Sequence, residues 1–121
     1  MPAQEVQHPL PETIADLATV SRVEISENGT VVLAGEFGAE ENDGDEVKRE
    51  ARLAPSAGNG EGEAEIELDA ADRTRQELEI EVEDLTARTT YQVLVDGQMA
   101  GTITTDVRGR ASLELSRPTA Q

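Results

Sequence analysis

The chain has 121 residues and a formal net charge of −16, from 26 acidic residues against 10 basic ones. Charge of that sign repels phosphate backbones and anionic lipid, so direct nucleic-acid binding is set aside at once. Phe37 and Tyr91 are the only aromatics, so the core must be aliphatic, with little to stack sugars, bases or flat cofactors against.

Residues 1–20 read as an irregular leader carrying Pro2, Pro9 and Pro11. Met1 to Leu10 has neither a basic start nor an apolar run, so no signal peptide is expected in this sequence, and no stretch approaches the roughly 20 apolar residues of a membrane-spanning helix. Within the leader, Ile14, Leu17 and Ala18 fit one face of a short helix entered at Pro11, although the Thr and Val content also permits an extended segment. From residue 21 to 117 the pattern is that of a single β-domain, and 118–121 form a tail behind Pro118.

Val23 and Ile25 alternate with Arg22 and Glu24, then Asn28-Gly29 precedes Val31, Leu33 and Phe37. Both Asn and Gly tolerate positive φ, so this pair predicts a hairpin with a type I′ turn. Residues 38–46 form an acidic loop too charged to bury. The next strand, Val47 to Leu53, sets Lys48, Glu50 and Arg52 on one face and Val47, Ala51 and Leu53 on the other, with Arg49 out of phase. Its basic residues suit a position beside the acidic strand that follows the Pro55–Gly60 turn cluster.

That acidic strand is half of the chain's dominant pattern. Glu61, Glu63, Glu65 and Glu67 alternate with Ala64, Ile66 and Leu68, and Glu77, Glu79, Glu81 and Glu83 alternate with Leu78, Ile80 and Val82. A period of two means one dry face and one anionic face. Direct pairing of the two strands would oppose like charges at a cost of several tenths of a kcal/mol per pair, roughly. The expectation is therefore that they are not neighbours or that bases such as Arg73, Arg75 and Arg88 screen them. A second hairpin follows at Asp96-Gly97, and a third turn at Asp106–Gly109 leads into Ala111, Leu113 and Leu115. The segments 62–68 and 109–115 share a G-x-A-x-[IL]-E-L pattern, consistent with duplication or with convergence. Short strands at regular spacing with little helix predict an all-β fold, an antiparallel β-sandwich of about seven to eight strands.

The run from Tyr91 to Gly97, with Thr104 to Leu115, resembles the closing strands of bacterial Ig-like and transthyretin-like sandwich modules. Gly62–Leu68 with Leu78–Val82 is also similar to the repeat of chordin-type domains, but the histidine pair of those domains is missing: His8 is the only histidine, so no metal role carries over. The resemblance covers about the last half of the chain. It implies an extracytoplasmic, non-enzymatic scaffold or adhesion module.

Catalysis finds little support in the residues. Nucleophilic catalysis needs a base, yet the chain lacks cysteine and its histidine sits between leader prolines. Paired-carboxylate hydrolysis needs two acids converging across a cleft, whereas the ladder acids alternate outward. Calcium is the better chemical candidate, since Ca²⁺ collects carboxylate and amide oxygens from loops. Its expected ligands are Glu40, Glu41, Asn42, Asp43, Asp45 and Glu46 around Gly44, with a weaker cluster at Asp69 and Asp72. The acidic face, comprising Glu63, Glu65, Glu67, Glu77, Glu79, Glu81 and Glu83, has three readings: a solubilising surface, a docking face for a basic protein, or a mimic of nucleic-acid phosphate. Edge strands at 47–53 or 110–115 would be open to a strand from another chain. The best sequence reading is a non-catalytic structural or protein-interaction module, with no cofactor beyond calcium.

Overall fold

Alternation decides the architecture. The computed structural model describes residues 7–9, 14, 16–56, 58–72 and 75–117, and among these it shows ten strands and a single 3-10 turn at Leu17–Thr19. The strands are β1 (Gln7–Pro9), β2 (Arg22–Glu27), β3 (Thr30–Glu36), β4 (Glu41–Asp43), β5 (Glu46–Pro55), β6 (Glu61–Asp69), β7 (Gln76–Glu83), β8 (Thr90–Val95), β9 (Gln98–Thr104) and β10 (Ala111–Arg117). The fold is all-β, as the period of two predicts. The count exceeds the expected one because two three-residue strands, β1 and β4, arise in segments that read as leader and as acidic loop.

Hydrogen-bonded neighbours run in the order β1-β10-β7-β6-β5-β3-β2-β8-β9, with β4 attached to β5. Every pairing is antiparallel except β1 with β10. Strand β5 is the hinge of the sheet, pairing β6 along Glu46–Leu53 and β3 at Ala54 and Pro55. It thereby links a layer of β10, β7, β6 and β5 to a layer of β3, β2, β8 and β9. The crossing is close: a Cβ on Gly35 would run into the carbonyl of Arg52, so only glycine fits there. At the other end of the path, β9 and β10 meet without backbone pairing, and Leu113 packs against Gly101 to leave the sheet nearly closed.

The inner faces of both layers share one aliphatic core. Val23, Ile25, Leu33, Leu53, Ile66, Leu68, Leu78, Ile80, Val93 and Leu115 are essentially inaccessible, and Tyr91 is the large aromatic among them. The turns follow their residues. Asn28 and Gly29 have φ of 51° and 83°, and Asp96 and Gly97 have 50° and 83°, the paired positive values a type I′ hairpin requires.

Part of the expected leader belongs to this domain. Ile14, Leu17 and Val20 are buried in the core, and Gln7–Pro9 forms β1. Among the described residues of this segment a 3-10 turn forms, started by Asp16, whose carboxylate accepts the Ala18 N–H at 2.9 Å. Buried Gln76 fixes it from β7, accepting the Leu17 N–H at 3.0 Å and donating to Asp16 at 2.8 Å. Residues 1–6, 10–13 and 118–121, including the proposed helix entry at Pro11 and the tail, lie outside the described residues.

Candidate functional site

The acidic strands are direct neighbours, against the expectation that like charges would hold them apart. Across β6 and β7, Glu61 opposes Glu83, Glu63 opposes Glu81, Glu65 opposes Glu79 and Glu67 opposes Glu77. The reason lies on the other face. This register also aligns Ala64 with Ile80 and Ile66 with Leu78, all of them buried, and a one-residue slip would turn the whole core set into water. Core burial, worth about 1.5–3 kcal/mol for each large aliphatic side chain, outweighs a few tenths per acidic pair.

The flanking strands extend the pattern into rows. One row reads Lys48, Glu67, Glu77, Ser116, the next Glu50, Glu65, Glu79, Glu114, and a third Arg52, Glu63, Glu81, Ser112. Sheet geometry sets these carboxylates on a lattice of about 4.8 Å between strands and about 6.7 Å along each strand. β5 sets Lys48 opposite Glu67 and Arg52 opposite Glu63, as its basic face suggested, while other bases stand in the connecting loops. Arg75 and Arg88 sit in those loops, Arg73 lies outside the described residues, and Arg110 approaches Glu83 at 4.0 Å.

Crowding is visible in the acid strengths. Glu67 is pushed up to about 7, chiefly by its hydrogen bond with Glu65, then by burial and by the charges of Glu46, Glu65 and Glu77. Burial raises Glu77, with Glu114 and Glu79 adding to it, and exposed Glu83 is raised by its hydrogen bond with Glu61. Asp106 moves the opposite way, lowered by accepting the backbone N–H groups of Arg110 and Arg108.

Three of the six expected calcium ligands fall in a short strand. Glu41–Asp43 form β4, which turns at Gly44 and returns as β5, setting Glu41 opposite Lys48 and Asn42 opposite Val47. Asp69 accepts the N–H groups of Ala71 and Asp72 and so shapes its own turn. Two other groupings bring carboxylate oxygens within 4.8 Å of one another: Glu61, Glu83 and Asp84 at one end of the ladder, and Glu77, Glu79 and Glu114 near its middle. Ligation at either place would use the face itself rather than the loop.

Glu114 is absent from the sequence reading of the face, yet it is only 7% exposed and continues the longest acidic row. The signal was the shared G-x-A-x-[IL]-E-L pattern, which places Glu114 in the same position as Glu67. Concavities near the ladder are small or open. One of about 190 Å³ is lined by Arg52, Glu61, Glu63, Glu81 and Glu83, below the roughly 300 Å³ at which small-molecule sites begin. Another, about 560 Å³, lies among loop residues with Leu85 as its apolar side chain. No helix among the described residues is long and apolar enough to cross a membrane.

Comparison with known proteins gives no assignment: no family model matches this chain, and neither curated proteins nor solved structures provide a match.

Proposed function

We propose that this chain is a non-catalytic interaction module whose β6–β7 face docks a basic protein partner. The observation that carries this reading is the register of the ladder, which stacks glutamates in unbroken rows on an outward face where alternation with Lys or Thr would have served solubility equally well. Such a face accelerates encounter with a cationic surface and loses affinity steeply as salt rises. An extended segment with Lys or Arg at every second position repeats at the same spacing as the glutamates along each strand.

Two further observations support the module reading. The described concavities combine polar linings with small or open volumes. The Tyr91 hydroxyl, at the start of β8, accepts the Thr86 N–H five residues upstream, the kind of corner that Ig-like sandwiches use.

Titration with a peptide alternating Lys and Thr tests the docking reading directly. Binding should weaken with added salt, and Glu65→Gln with Glu79→Gln should reduce it while circular dichroism stays unchanged. Equal affinity for wild type and the double variant would leave only a solubilising surface. Displacement of duplex DNA from a basic protein would narrow the reading to phosphate mimicry. Calcium is a second reading, favoured by the closeness of Glu77, Glu79 and Glu114. It predicts a melting temperature that rises with calcium and falls with chelator.

A further inference from the structure

We propose that the outer edge of β10 is an exchangeable strand slot, and that its occupant in trans is the β1 segment of a second copy of this chain. The inference stands apart from the acidic face and uses only backbone pairing. β1 covers Glu114–Ser116 of β10, three residues of a seven-residue strand, and is the one parallel strand among the described residues. Parallel pairing is slightly weaker per residue, and Pro9 brings no N–H to the ladder. The remainder of the β10 edge, Ala111–Leu113, faces β9 with no backbone pairing between them.

The occupant is indicated by what already sits there. β1 demonstrates register and fit on this edge, with Gln7 opposite Glu114, His8 opposite Leu115 and Pro9 opposite Ser116, and a second copy carries the same strand. The other pairings are secured differently. β2–β3 and β8–β9 are closed by two-residue turns and cannot exchange without opening them, while β6 and β7 are paired along both edges and β5 holds β4 and β3 at the two ends of its second edge. The 47–53 edge expected to be open carries β4 at Val47 and Lys48 and the Gly38 N–H at Glu50, and the 110–115 edge carries β1 over part of its length.

Exchange competes with the chain's own β1, held at an effective concentration on the order of millimolar by its short connection. Self-pairing thus dominates in dilute solution. Exchange sets in as protein concentration nears that level, and added salt favours it by screening the repulsion between copies of net charge −16.

Absence of cysteine makes disulfide trapping a clean test. Parallel neighbours stand about 4.8 Å apart, within the Cα separation a disulfide spans. Gln7→Cys on one copy and Glu114→Cys on another are mixed at close to 1 mM and oxidised, with Gln7→Cys plus Thr30→Cys as control, Thr30 being exposed at the distant β2–β3 turn. The expected result is mixed-disulfide dimer forming about tenfold faster than in the control. Pro9→Cys with Ser116→Cys repeats the test in case Glu114→Cys perturbs the fold. Rates equal to the control for both pairs, or a monomeric mass by light scattering throughout this concentration range, would overturn the proposal.

Discussion

Glu67 lies two residues from Glu65 on the outer face of β6, and the protonated Glu67 carboxyl donates a hydrogen bond to its neighbour. The proton that joins them is held up to about pH 7, whereas a glutamate in the unfolded chain releases it near 4.5. The folded state therefore binds more protons than the unfolded state between those values, and stability rises as pH falls through that window. The contribution is fully present below 4.5 and is lost as pH climbs through 7. Glu77 and Glu83, also raised, act in the same sense. Lowered Asp106 acts oppositely, losing its contribution as pH falls below its ordinary 3.8.

Melting temperature should accordingly increase from about pH 8 to about pH 5 and fall again in stronger acid. Glu67→Gln mimics the protonated form, so it should raise Tm at about pH 8 by about 2–4 °C and change it little at about pH 5, a modest size because the group is partly solvated. A flat pH profile for the wild type between those limits would show that the ladder does not hold the proton.

Charge reversal on the ladder tests the cost of the register. Glu81 is exposed and stands opposite Glu63 on one side and Ser112 on the other. Glu81→Lys turns a like pair into an opposite pair and should stabilise the protein by about 0.5 kcal/mol in urea titration at low salt. High salt screens both arrangements, so the advantage should shrink there. Wild-type Tm should itself rise with salt for the same reason.

The layers were readable in the sequence because alternation, turn residues and glycine all speak locally. Asn28-Gly29 and Asp96-Gly97 announce their hairpins, and Ile66 and Leu78 announce their faces, without reference to distant residues. What escaped needs partners far away in the chain. β1 exists because β10 leaves an edge for it, and Leu17 can sit in the core with its N–H satisfied because Gln76, 59 residues later, accepts it. The neighbouring of the two acidic strands was legible as a cost but not as a fact, since the deciding energy lay in the aliphatic register on the reverse face. Arg49 is the clearest case: as a sequence exception it had no explanation.

In the structure Arg49 is a clamp. It points inward from β5, stacks over Phe37 with its guanidinium carbon 5.6 Å from the ring centroid, and donates to the carbonyls of Leu17, Ala18, Val20 and Gly38. The shortest of these, to Val20, is 2.6 Å. Arg49→Leu would retain apolar bulk while withdrawing the donors from half-buried carbonyls, at a cost of about 2–4 kcal/mol. Arg49→Lys should recover part of it, because one ammonium cannot reach both sides of the site. Amide exchange at residues 17–20 should quicken more than exchange in β6 or β7, which separates loss of the clamp from global destabilisation.

Tyr91 anchors the arch between the layers. Its ring is 2% exposed, its hydroxyl accepts the Thr86 N–H at 3.1 Å, and Thr105 completes the corner by donating to the Thr86 carbonyl at 2.6 Å and accepting the Thr89 N–H at 2.9 Å. Tyr91→Phe keeps the packing and strands one amide, so it should cost about 1–2 kcal/mol. Thr105→Val removes an acceptor and a donor from the same corner and should cost a similar amount. Because both side chains hold Thr86, from its N–H and its carbonyl, the double variant should lose less than the sum of the singles, by 0.5 kcal/mol or more as a rough bound. Strict additivity in denaturant titrations would mean that the two hydroxyls act independently and that the corner is not a unit.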